Sequence, residues 1–384
     1  MLIYTHCLLI GADSYRGYQV LSLTPNNKEQ VTWLVNMKEN SSRECDTDWW
    51  TEPSKPRVSV DVSIAPGCVK RFEKMLRNAG IKYKVIIADL EDLIEEEKSS
   101  SMSRSSTGYR AGGFWNPKVY HKLSEITKRT KWLASTYPHV VSRRNLGTTY
   151  EGRKIEALLL RQDSSSKKPV IWLDCGIHAR EWVSPPVCLH AIDKLIENYN
   201  STDPKKNLLG MYDFFILPIA NPDGYAFTWK RNRNRLWRKN RRPHKCGYGV
   251  DPNRNFPINF RQGCSNPCSC GDTYRGTHAF SEAESKAIQR GVKIMKAEYG
   301  KRRIAAFVSV HAFSQLWMSP YGYSRSRPKD YRDHMKVMKK SVQALTSVYG
   351  THFTYGPISE VKKRQKYLIL RYFAGYLSCI RIKC

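Results

Sequence analysis

A chain of 384 residues with 41% hydrophobic and 11% aromatic content can fill a sizeable interior, which excludes global disorder, and it exceeds the usual size of one core. A large domain with a smaller companion is therefore expected. The formal charge of +30 favours acidic partners such as polyanions or anionic membrane surfaces and says nothing about fold.

Residues 1–11 ("MLIYTHCLLIG") have a short apolar core and no basic start, and are read as a clipped signal peptide. A strand pattern near Tyr18 to Leu23 leads into helical spacing in "KEQVTWLVNMKE". "RVSVDVSI" then alternates apolar and polar, "VKRFEKMLRNAG" is helical with a glycine stop, and "IKYKVIIADL" returns to strand. These pieces predict a small split βαβ domain with an antiparallel sheet over residues 15–90. Residues 91–114 read as an acidic helix running into a polar, arginine-dotted linker open to a trypsin-like protease.

Beyond it, "KVYHKLSEITKRTKWLASTY" has helical spacing, followed by strands at Ile155 to Arg161 and Val170 to Asp174. A helix with apolar Cys188, Ile192, Leu195, Ile196 and Tyr199 precedes a strand at Phe214 to Ile219. Ser281 and Glu284 resemble a capping box opening a helix that ends before Gly300, and "IAAFVSVH" is a buried-strand run. Strands alternating with helices predict an α/β fold: a mixed, mostly parallel sheet with helices on both faces, whose ligands collect at the strand ends. No run of about 18 apolar residues is found, so no membrane span is expected. The eleven cysteines read as disulfides of an oxidising compartment rather than a metal cage, with at least one thiol left over.

His178 lies just past one buried strand and His311 at the end of another, 133 positions on. An isolated H-x-x-E such as His178 and Glu181 is common by chance and reads first as a polar turn. A second strand-terminal histidine changes the balance. Two histidines and a glutamate with an open fourth position form a catalytic zinc site, where the metal brings water to a pKa near ~7. The stretch Lys230 to Lys245 holds nine Lys or Arg in sixteen residues, which suits a polyanion such as heparin or a solvated loop. Leu236 and Trp237 argue that part of it is pinned to the core. "DPNRNF" follows, with Asn253 and Arg254 able to hold a carboxylate through bidentate hydrogen bonds.

Eight ordered motifs now stand together: "DCGIHAREW", "NPDGY", "RLWRK", "DPNRN", "DTYRG", "SEAE", "SVHAFSQ" and "YGPIS". In this order they resemble the secreted zinc metallocarboxypeptidases of the carboxypeptidase A/B group, from the propeptide-like first domain to Ser359. The resemblance implies a secreted zymogen, monomeric, binding one Zn2+ per chain through His178, Glu181 and His311. It implies a catalytic domain over 115–359, with Arg238 polarising the scissile carbonyl. Asn253 and Arg254 would grip the terminal carboxylate of a peptide, and Arg180 would line the neighbouring subsite. It further implies activation near Arg104 or Arg110, a disulfide from Cys246 to Cys268 or Cys270, and no nucleic-acid partner.

After Ser359 the pattern stops. Residues 360–384 read as an atypical basic tail, like an altered reading frame or a retained intervening sequence. Its sole carboxylate side chain is Glu360, outside any motif of the family, and Tyr367, Tyr372 and Tyr376 match nothing. Neither the family's general-base glutamate nor its capping tyrosine is found. A general base contributes roughly 10²- to 10⁴-fold, so an inactive zinc-binding homologue and a polyanion binder stand as alternatives, and side-chain preference is unassigned.

Overall fold

The computed structural model describes residues 14–40, 45–51, 53, 55–107, 115–162, 168–245, 247–260, 271–300, 303–312 and 315–361. The readings on residues 1–11, Arg110, Cys246, Cys264, Cys268, Cys270 and the tail beyond 361 lie outside them. The described chain forms two units, one from residues up to 100 together with 230–235, the other from the rest.

In the first unit, β1 (Gln19–Thr24), α1 (Lys28–Asn40), β2 (Thr47–Trp49), β3 (Val60–Ile64), α2 (Val69–Asn78) and β4 (Lys82–Ile87) follow in order. The sheet runs β2-β3-β1-β4 with every pairing antiparallel. Val60, Val62 and Ile64 alternate along β3, so they share a face, and they pack with Leu21, Leu23, Leu34, Phe72 and Leu76. A disulfide joins Cys45 to Cys68. Strand β2 escaped the sequence reading because three residues carry no usable period. Helix α3 (Leu90–Thr107) carries the expected acidic helix on through the serine-rich stretch to Thr107. No Gly or Pro interrupts it before Gly108, and its first two turns carry Leu, Glu and Ile, which are fair to good helix formers. Arg104 therefore lies in a helix.

The second unit contains α4 (Leu123–Thr136), β5 (Val141–Thr148), β6 (Lys154–Leu160), β7 (Val170–Asp174), α5 (Ser184–Glu197), β8 (Asp213–Leu217), α6 (Pro222–Thr228), β9 (Pro243–His244) and β10 (Gly247–Tyr248). It continues with α7 (Ala283–Tyr299), β11 (Ile304–Ser309), β12 (Leu316–Ser319), α8 (Tyr331–Tyr349), β13 (Thr354–Pro357) and α9 (Ile358–Val361). The mixed sheet runs β11-β7-β8-β6-β5, parallel from β11 to β8 and antiparallel from β8 to β5. Strands β12 and β13 form a separate parallel pair. Side chains alternate between two cores: Leu159, Phe215 and Leu217 meet α7, whereas Leu158, Leu160 and Ile216 meet residues of α4 and α5. The expected capping box at Ser281 and Glu284 is not made. The N-cap is Glu282, without a side-chain cap, and Ser281 Oγ donates instead to Glu282 Oε1 at 2.7 Å.

Trp172 stacks between Phe215 and Phe307, with ring centroids 5.1 and 5.3 Å away, and α7 lies on it at Gly291. A Cβ there would stand 2.5 and 2.6 Å from Trp172 ring carbons. Gly291→Ala should therefore destabilise by about 1–3 kcal/mol through overpacking, although alanine in a mid-helix position ordinarily gains roughly 1 kcal/mol over glycine. Urea unfolding of the two proteins measures the sign; a stabilised variant would show that the ring gives way freely.

Candidate metal centre

β7 and β11 are neighbouring parallel strands, with Asp174 in register with Ser309. Both therefore end at the same edge of the sheet. Past Asp174 the chain turns at Gly176, whose φ of +64° suits glycine because it has no Cβ. Ser184 Oγ accepts from Gly176 N at 2.9 Å, and Asn221 N donates to Gly176 O at 3.0 Å. This turn delivers His178, and a further tight turn delivers Glu181, Trp182 N donating to Arg180 O at 3.0 Å. A disulfide between Cys175 and Cys188 closes the segment that carries both.

His178, Glu181 and His311 converge, each offering a ligand atom within 4.8 Å of the others. His178 Nδ1 lies 2.7 Å from Glu181 Oε1 and 3.2 Å from His311 Nδ1, and His311 Nδ1 lies 3.0 Å from Glu181 Oε2. Donors held about 2.0–2.2 Å from one ion in a tetrahedron stand roughly 3.3 Å apart, so this spacing fits a single zinc. Two imidazole nitrogens this close to each other and to one carboxylate could hold a metal ion. His178 is fully buried and Glu181 is 9% exposed. Burial works to raise the Glu181 carboxyl, but the two imidazoles outweigh it and hold the group well below the usual carboxylate range. Burial, aided by the charge of Arg238, pushes the His178 imidazole down, which favours the neutral form that a metal takes.

Asp251, quoted in a motif but given no role by the sequence reading, organises the rest. Its Oδ1 lies 3.2 Å from His178 Nε2 and accepts from Asn253 N at 2.9 Å. Its Oδ2 accepts from Arg238 Nε and Nη2 at 3.1 and 3.0 Å, with Arg254 Nε 3.8 Å away. Burial raises this carboxyl, and Arg238, Arg254 and His178 reverse the effect, leaving it well below its ordinary value. With its fork taken by Asp251, Arg238 turns Nη1 toward the metal set, 3.9 Å from Glu181 Oε1. Asn253 is 5% exposed, and among the described residues its Nδ2 is buried without a hydrogen-bond partner. Such a donor costs free energy unless a ligand accepts from it. Arg180 Nη1 donates to Leu236 O at 3.3 Å and to Asp272 at 3.1 Å.

The basic stretch is pinned, as Leu236 and Trp237 suggested. Arg235, Arg238, Lys239 and Arg241 face inward, leaving Lys230, Arg231, Arg233, Arg242 and Lys245 exposed. Arg241 lies over the rings of Phe227, Trp237 and Tyr248 at 3.6, 4.6 and 4.8 Å. Asn240 Nδ2 donates to both Glu282 and Glu284 at 2.8 Å, fixing the segment to the start of α7. Burial pushes the Glu284 carboxyl up to about 7, so near neutrality it is part protonated.

Residues 126–374 match the zinc carboxypeptidase family, and residues 21–97 match the carboxypeptidase activation peptide. The chain belongs to the zinc carboxypeptidase family. The family match runs past Ser359, where the motif resemblance stops. Rat carboxypeptidase A2 is 34% identical over 363 residues, covering 94% of this chain and 83% of the relative. Human carboxypeptidase A1 is 36% identical, covering 91% and 81%. Among solved structures, thrombin activatable fibrinolysis inhibitor superposes with a TM-score of 0.81 at 31% identity, covering 96% of this chain and 89% of that one. The carboxypeptidase A of Helicoverpa armigera gives 0.77 at 27%, covering 94% and 92%. As a zinc carboxypeptidase with an activation peptide, this chain has zinc as its cofactor, and among its described residues no helix is long and apolar enough to cross a membrane.

Proposed function

We propose that this zinc carboxypeptidase is a secreted zymogen that hydrolyses the last peptide bond of peptides and proteins, with one zinc held by His178, Glu181 and His311. The observation that carries this reading is the convergence of those three donors within 4.8 Å beside a guanidinium locked by Asp251. Zinc held there supplies Lewis acidity and lowers the pKa of water to near ~7. Arg238 Nη1 offers a fixed cation to the charge developing on the scissile carbonyl oxygen. Asn253 Nδ2 and Arg254 take the terminal carboxylate, so only a free C-terminus is presented, and Arg180 lines the neighbouring subsite. Residues 15–90 serve as propeptide, 91–114 as connector and 115–359 as catalytic domain. Of the two activation sites, cleavage at Arg104 requires α3 to unwind first.

The test is incubation of the trypsin-treated chain with a peptide and its C-terminally amidated twin. Release of one residue from the free acid alone supports the reading; equal release from both would reject carboxylate recognition. The alternative reading is a zinc-binding but silent homologue. That reading gives one zinc per chain and no released residue. Polyanion binding has less support, since four of the nine cations of its segment face inward.

A further inference from the structure

An imidazole that gives the lone pair of Nδ1 to a metal must carry its proton on Nε2, and an acceptor for that proton fixes the ring. For His178 the acceptor is direct, Asp251 Oδ1 at 3.2 Å. For His311 no carboxylate adjoins Nε2 among the described residues. The neighbour is Ser309 Oγ at 3.4 Å, and Ser309 Oγ itself donates to Asp174 Oδ1 at 2.7 Å. Asp174 Oδ2 is occupied by Trp172 Nε1 at 2.7 Å, a group that only donates. Asp174 is 1% exposed, ends β7, and accepts Val310 N on its carbonyl at 2.8 Å, so the chain of groups sits on paired backbone.

We propose that Asp174 and Ser309 are positioning residues for His311, a carboxylate acting through a hydroxyl to hold the ring with Nδ1 toward the metal. This rests on the metal reading above. The order of donation follows from the proton count. Trp172 keeps Asp174 an acceptor on one oxygen, Ser309 gives its single proton to the other, and its oxygen lone pairs then face Nε2–H. The two ligand histidines are thus braced unequally, one by a carboxylate directly and one at a remove.

Ser309→Ala, Ser309→Thr and Asp174→Asn, each in the full chain, test this through zinc affinity by chelator competition, thermal unfolding of the zinc-free protein, and imidazole ¹⁵N shifts reporting the His311 tautomer. Ser309→Ala should weaken zinc by roughly 10- to 100-fold and lose the Nε2–H tautomer preference, with a lower zinc-free unfolding temperature because buried Asp174 Oδ1 loses its donor, while Ser309→Thr restores all three. Asp174→Asn should weaken zinc at least as much. Trp172 holds the amide oxygen, the amide nitrogen then donates to Ser309, and the hydroxyl proton is driven toward Nε2. Unchanged zinc affinity and tautomer in a stably folded Ser309→Ala overturn the proposal, and that variant decides the matter even if Asp174→Asn fails to fold. If Glu181→Gln also binds zinc normally, the metal reading itself has failed; if Glu181→Gln loses zinc while Ser309→Ala does not, only the relay has.

Discussion

Glu181→Gln is expected to lose zinc by more than ~10²-fold in affinity, since residues merely supporting a ligand already account for roughly 10- to 100-fold and this one is proposed as a ligand itself. The amide keeps the shape and can still accept from Ala312 N, which donates to Glu181 Oε2 at 3.1 Å, so the fold should survive. What disappears is the negative charge that two imidazoles stabilise against burial. Zinc per chain after dialysis against a chromophoric chelator measures the effect, and a variant retaining one tightly bound zinc would refute the ligand assignment. In the unsubstituted chain, protonation of His178 should contribute little to zinc loss near pH ~6.5, where free histidine protonates, because burial and Arg238 push that imidazole down.

Arg238→Lys should lower kcat by about 10²- to 10³-fold, the size of effect of removing one preorganised donor from an oxyanion site, with zinc content unchanged. Lysine keeps the charge and loses the fork. In the native chain Asp251 takes Nε and Nη2 while Nη1 is left beside the metal set. An ammonium can satisfy Asp251 or reach the site, and not both in one geometry. Steady-state kinetics with a free-acid peptide would read a fall in kcat at little-changed KM. A variant as fast as the parent would mean that Arg238 serves only to pair Asp251.

Elements with a strong internal signal were legible in the sequence. β7 was placed from Val170 to Asp174, as found, because a continuous apolar run ends sharply at a turn glycine. β5 was missed because "SRRNLGT" is an edge strand whose polar residues find local partners, Arg143 pairing with Glu156 at 2.6 Å. β12 and β13 are four residues each, too short for a period to show. α8 was overlooked although His334, Met338 and Val342 are its buried residues, a spacing of four that the sequence displays openly. The three converging side chains, His178, Glu181 and His311, could be singled out because each terminates a recognisable strand or turn. Asp251, Ser309 and Asp174 could not, since their roles depend on neighbours brought from elsewhere in the chain. The capping-box reading failed for the same reason: Glu284 answers to Asn240, 44 residues away, rather than to its own helix.

The Cys175–Cys188 bridge bears on how the ion and the polypeptide stabilise one another. It closes a covalent ring around His178 and Glu181, so the denatured chain keeps two of the three donors as a ready-made chelate. Metal bound by the unfolded form subtracts from the stabilisation that the same metal confers on the native form. Under oxidising conditions the melting temperature should therefore rise with zinc concentration less steeply than native affinity alone would dictate.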